Sequence, residues 1–161
     1  MLIIYAGIVP RFIRDLFDRL ENKKNNDPEY ESQVFVSFLE LYNEDLVDLL
    51  NFQQRQRACD ISIPQDVQGN NYWSGVREEP CSDPRELLGY LTKGSLGRTV
   101  GSTDMNAVSS RSHAIFSVIL KQQLPDEDNA DQRKTIVSKF HFVDLAGSER
   151  VNACHYALIH F

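Results

Sequence analysis

The chain has 161 residues, 17 Lys and Arg against 23 Asp and Glu, and a formal net charge of −6, a length that suits one domain with a sizeable core and leaves too little for two. The acidic balance argues against a surface that coats nucleic acid. No apolar run reaches the length of a membrane span, Met1 to Tyr5 lack the basic flank and length of a signal peptide, and Cys59, Cys81 and Cys154 are too few and too scattered for a disulfide framework or a zinc site, so a cytosolic or nuclear protein with free thiols is expected.

Gly7-Ile8-Val9-Pro10 opens the first expected helix, with Pro10 suited to the first turn. Ile8, Val9, Phe12, Ile13, Leu16, Phe17 and Leu20 recur at helical spacing, a one-sided stripe that gives way to the polar run Glu21 to Pro28. Gln33 to Tyr42 is rich in β-branched and aromatic residues and reads as a buried strand. Asn43 to Leu50 reads as a short helix with acidic residues in its first turn. From Ile61 to Arg77, polar and apolar residues alternate around Gly69-Asn70-Asn71, the pattern of a hairpin with a solvent-exposed tip. Asp83, Pro84 and Glu86 make a strong helix start, with a cap, a first-turn proline and a carboxylate that can reach back. Leu87, Leu88 and Leu91 give that helix an inward stripe, and Gly94 or Gly97 is its expected end. Arg98 then reads as a solvated arginine at a helix end.

Two further stretches hold the chemistry. In residues 105–120 a loop of small and hydroxylated residues leads into an apolar strand, and in residues 140–150 an apolar strand leads into a polar loop. The acidic connection from Leu124 to Lys134 reads as an exposed hairpin loop, which makes the two strands antiparallel neighbours and brings both polar loops to one sheet edge. A strand ending in Asp144 resembles a Walker-B strand, whose carboxylate holds Mg²⁺. Gly147 completes Asp-x-x-Gly, where the absence of a side chain lets a backbone N–H approach a terminal phosphate. The first loop supplies the amide of Asn106, the hydroxyls of Ser109, Ser110 and Ser112, and the guanidinium of Arg111. Taken singly, either stretch could be a solvated turn. His113 and His141 have no metal partner at ligand spacing and read as structural histidines.

The sequence Asn-x-x-Ser-Ser-Arg-Ser-His at 106–113, followed by Asp-Leu-Ala-Gly-Ser-Glu-Arg at 144–150, resembles switch I and switch II of the kinesin motor domain. Gly-Ile-Val-Pro-Arg at 7–11 is similar to the helix that follows the phosphate loop in that family, and Tyr-Asn-Glu-x-x-x-Asp-Leu-Leu at 42–50 to the segment after a kinesin strand. The resemblance covers about residues 7–150, with residues 151–161 as an unrelated tail, and the strand into Asp144 is closest in flavour to a chromokinesin-like branch. It implies an α/β fold: an incomplete P-loop NTPase-like motor core with a central mixed sheet and flanking helices. It also implies ATP and Mg²⁺ as ligands, microtubules as partner, and a cytoplasmic, cytoskeletal setting, with no membrane and no direct nucleic-acid contact. By resemblance, Ser110 is the Mg²⁺ and γ-phosphate hydroxyl, with Ser109 beside it and Asn106 among the nucleotide-binding groups. Asp144 is the metal-side carboxylate and Gly147 the γ-phosphate donor. Arg111 and Glu149 form the salt bridge between the switches, and Arg98 is a nucleotide-side group.

The hairpin at 61–77 corresponds to a loop on the family's microtubule face, yet Pro64 and Gln65 stand where charged residues are usual and Arg77 is the basic residue nearby. Within these 161 residues there is no G-x-x-x-x-G-K-[ST], the sequence that cradles phosphates in P-loop enzymes. The expectation is therefore a motor-domain fragment that is inactive as an isolated chain. The alternative is a non-catalytic short form that binds tubulin or a partner. A GTPase-like switch protein is disfavoured because no Asn-Lys-x-Asp sequence is present.

Overall fold

The structure, a computed structural model, describes residues 7–51, 61–69, 71–100, 111–125 and 132–147. Its elements run α1 (Ile8–Asn26), β1 (Glu31–Tyr42), β2 (Asp45–Asp48), β3 (Glu79–Cys81), α2 (Pro84–Val100), β4 (Ser112–Pro125) and β5 (Arg133–Asp144).

β1 is the central strand. It pairs with β4 along its whole length on one edge, while its other edge is shared by β3, opposite Val34–Val36, and β2, opposite Leu39–Tyr42. β5 pairs with β4 on the far side, giving the order β2-β1-β4-β5, and every pairing among the described strands is antiparallel. Side chains alternate across a strand, so Val34, Val36 and Phe38 of β1 share a face with Ala114, Phe116 and Val118 of β4. On that face they form a buried cluster with Ile13 of α1 and Leu87 of α2. Phe38 and Phe116 meet edge to face at 5.2 Å between ring centroids, and each such buried ring contributes about 1.5–3 kcal/mol.

α1 carries the expected stripe: Ile13 is fully buried, and Val9, Phe12, Leu16, Phe17 and Leu20 pack on the cluster. Phe12 stacks on Phe140 of β5 at 4.6 Å and meets Phe142 edge on at 5.1 Å. The helix continues through the polar run as far as Asn26, with Lys23 and Lys24 in its last turn, where cations favour the carbonyl end of the helix dipole. It stops at Asp27, whose backbone is extended, as the residue before Pro28 is pushed to be.

Residues 43–50 do not form the expected helix. Asn43 and Glu44, with φ of 50° and 69°, make a two-residue turn between Tyr42 and its cross-strand partner Asp45. Positive φ at both central positions is the type I′ geometry that matches strand twist. The helix-like spacing of Leu46, Val47, Leu49 and Leu50 loses to the ladder that β1 offers. Asp48 closes the segment from within: it is buried and accepts hydrogen bonds from Leu50 N at 2.9 Å and Arg77 N at 3.0 Å. Beyond it, residues 61–77 fold back on themselves through Ser62–Ser74 and Gln65–Asn71 bridges, as the alternation predicts. Arg77 is engaged there by Glu79.

α2 starts as its sequence requires. Asp83 Oδ1 accepts from Arg85 N at 2.7 Å and Glu86 N at 2.9 Å, and Glu86 Oε2 accepts from Ser82 N at 2.8 Å. It ends later than Gly94 or Gly97, running to Val100. Gly94 is not a terminator but a contact point: a Cβ built there would lie 2.2 Å from Phe38 Cδ1. The glycine lets the helix press on the sheet, and that packing outweighs its low helix propensity.

Candidate functional site

The β4–β5 register places Ala114 opposite Asp144. The start of the strand that follows the hydroxyl-rich loop and the end of the strand that precedes Asp-x-x-Gly are therefore side by side. Of the expected site residues, Arg111, Asp144 and Gly147 are described, and all three are exposed. Asn106, Ser109, Ser110 and Glu149 lie outside the described residues.

Arg98 organises this corner. It is not the solvated arginine of one sequence reading, since its side chain is only 14% exposed. Its Nε lies 3.3 Å from Glu40 Oε1, its Nη2 donates to the Ser112 carbonyl at 3.0 Å and to Ser112 Oγ at 3.2 Å, and its Nη1 donates to Asp144 Oδ2 at 2.8 Å. Ser112, fully buried, completes the group by donating its Oγ hydrogen to Glu40 Oε1 at 2.7 Å. The buried Glu40–Arg98 pair is thus satisfied on both sides, the condition under which such a pair survives burial. Glu40 had no sequence signal, because an acidic residue in an apolar strand ordinarily reads as solvent-facing.

The two histidines are structural, as expected. His113 Nδ1 accepts from Ala146 N at 3.1 Å, which pins the backbone just before Gly147. His141 Nδ1 lies 2.8 Å from Ser117 Oγ. Burial, aided by the Lys139 ammonium, holds the His141 pKa below its ordinary value.

Arg98 engages Asp144 through Oδ2, and Oδ1 has no protein partner among the described residues. An exposed carboxylate with a free oxygen at a strand end, three residues before Gly147 in the chain, has the chemistry of a Mg²⁺ ligand, since that ion takes one or two carboxylates together with phosphate oxygens. Among the described residues no cluster of three or more His, Cys, Asp or Glu could hold a metal by itself. The donor set fits a metal brought in with phosphates.

The antiparallel β4–β5 pair brings Ser112 and Asp144, the strand residues that adjoin the two motif-bearing segments, to one end of the sheet, with α1 and α2 packed on one face. The kinesin motor domain model matches residues 4–157, and the chain belongs to that family. It is 39% identical over 171 residues to kinesin-like protein KIF21B of Mus musculus, an alignment covering 90% of this chain and 10% of that protein. It is 40% identical over 144 residues to the chromosome-associated kinesin KIF4 of Gallus gallus, covering 89% of this chain and 11% of that one. Among solved structures it is similar to that of a fast kinesin, with a TM-score of 0.75 and 29% identity, covering 91% of this chain and 38% of the other. The fold is part of the P-loop NTPase-like kinesin core, and the chain spans about a tenth of the length of these curated relatives.

Proposed function

We propose that residues 7–150 are the middle of a motor domain that hydrolyses ATP with Mg²⁺ and couples hydrolysis to movement along microtubules. The observation that supports this reading is the placement of Ala114 opposite Asp144, which sets the ends of the two motif-bearing strands side by side. In this reading Ser110 supplies a hydroxyl to Mg²⁺ and the γ-phosphate, with Ser109 and Asn106 beside it, and Gly147 donates its N–H to the γ-phosphate. Asp144 holds the metal side. Bound Mg²⁺ neutralises charge on the phosphate oxygens. Arg111 and Glu149 join the two loops when they close. The setting is cytoplasmic and microtubule-associated, as in the family.

As an isolated polypeptide these 161 residues are expected not to bind ATP at micromolar concentration, because they contain no G-x-x-x-x-G-K-[ST]. Titration with a fluorescent ATP analogue is the test: saturable, Mg²⁺-dependent binding tighter than about 10 μM would mean that the nucleotide site is misplaced. Joined to the rest of a kinesin motor domain, the segment should hydrolyse ATP. There, Arg111→Ala and Glu149→Ala should each bind ATP nearly normally and turn over more than about tenfold slower, since a contact made only in the closed state favours hydrolysis and not ground-state binding. The double variant should be little worse than either single one.

A further inference from the structure

We infer that Arg98 is a positioning residue for Asp144: a clamp that joins the C-terminal turn of α2 to the start of β4 and the end of β5, so that the two loop-bearing strand ends move as one unit. What that unit serves rests on the motor reading above; the clamp itself is read from the geometry. The guanidinium is anchored on its inner side by the buried Glu40 and by both oxygens of Ser112, and it delivers its outer nitrogen to Asp144. Asp144 has 73% of its side chain exposed, and no other described residue orients its carboxylate. An exposed carboxylate at a strand end samples several rotamers; the 2.8 Å contact to Nη1 selects one of them. A planar fork with donors in fixed directions can serve Glu40, Ser112 and Asp144 together, whereas an ammonium group on a flexible stem cannot. The hydrogen bond from Ala146 N to His113 Nδ1 ties the same two strand ends one step further along, so the Asp144–Ala146 backbone is held at both ends.

Hydrogen exchange and ¹⁵N spectra of the full 161-residue chain test this, with Arg98→Lys as the conservative variant. The expected result is that amides of residues 141–147 exchange at least about tenfold faster in Arg98→Lys than in the wild type, while those of α1 stay within about twofold. Lysine restoring wild-type protection would overturn the proposal, because charge alone would then suffice. Equal acceleration in α1 and in residues 141–147 would also overturn it, because Arg98 would then support the fold without placing Asp144. If Arg98→Lys does not fold, Asp144→Asn, which leaves the Arg98–Glu40 pair intact, takes its place. In that variant the Arg98 Nε–Hε cross-peak should shift and fast exchange should be confined to residues 144–147. An unmoved cross-peak overturns the clamp. No nucleotide enters these measurements, so their failure leaves the motor reading standing, and the failure of that reading leaves the clamp.

Discussion

Two glycines of α2 show how one residue type has opposite effects in one helix. Gly94 faces the Phe38 ring, and a Cβ there would overlap it at 2.2 Å, whereas Gly89 has nothing within 4 Å. Gly94→Ala should therefore lower stability by about 1–3 kcal/mol through overpacking. Gly89→Ala should raise it by about 0.5–1 kcal/mol through helix propensity alone. Urea denaturation of the two variants measures both, and equal signs would remove the close-approach account of Gly94. The Cys81 thiol is likewise set by its surroundings. Burial, reinforced by Glu86, Glu79 and Asp83, pushes its pKa up to about 12. Its protonated form is favoured in the native state, so the stability it contributes is present below about pH 9, the unfolded value, and is lost as pH rises toward 12. Native protein labelled with a thiol reagent near pH 8, then mapped by mass spectrometry, should be unmodified at Cys81. Rapid labelling there would show the thiol to be accessible.

At the level of elements, the β1–β2 hairpin turns through Asn43 and Glu44, both at positive φ. The left-handed region costs a non-glycine residue about 1–2 kcal/mol, and asparagine tolerates it better than glutamate does. Glu44→Gly should thus raise the stability of the chain by about 0.5–1 kcal/mol, the relief of strain less the entropy that glycine loses on folding. A shift of the denaturation midpoint to lower urea would mean that the Glu44 side chain contributes more than its backbone costs. The same hairpin shows why a helix was expected at residues 43–50: acidic residues followed by paired leucines satisfy a helix start, and nothing local announces the ladder on β1.

At the scale of the whole molecule, β5 is the described strand with no buried residue. It pairs with β4 on one side and with no other described strand, and Val137, Phe140 and Val143 are each about half exposed. An apolar strand with a free edge recruits other strands. The isolated chain should self-associate as its concentration rises, and Val137→Lys together with Val143→Lys should suppress this in sedimentation velocity. A wild-type chain that stays monomeric at high concentration would show the edge to be covered.

Features readable from the chain alone lie within a few residues of their own signal. The start of α2 follows from Asp83, Pro84 and Glu86, and the stripe of α1 from spacings of three and four. The two loops belong to the ends of β4 and β5 because they adjoin them in the chain. Tertiary structure decided the rest. Gly94 reads as a helix stop until Phe38 is brought against it. Residues 45–48 become a strand because β1 has an edge to fill. Arg98 is a clamp because Ser112 and Asp144, 14 and 46 residues further on, are folded onto it. Polar side chains take their roles from partners, and partners distant in sequence are assigned only when the sheet sets its register.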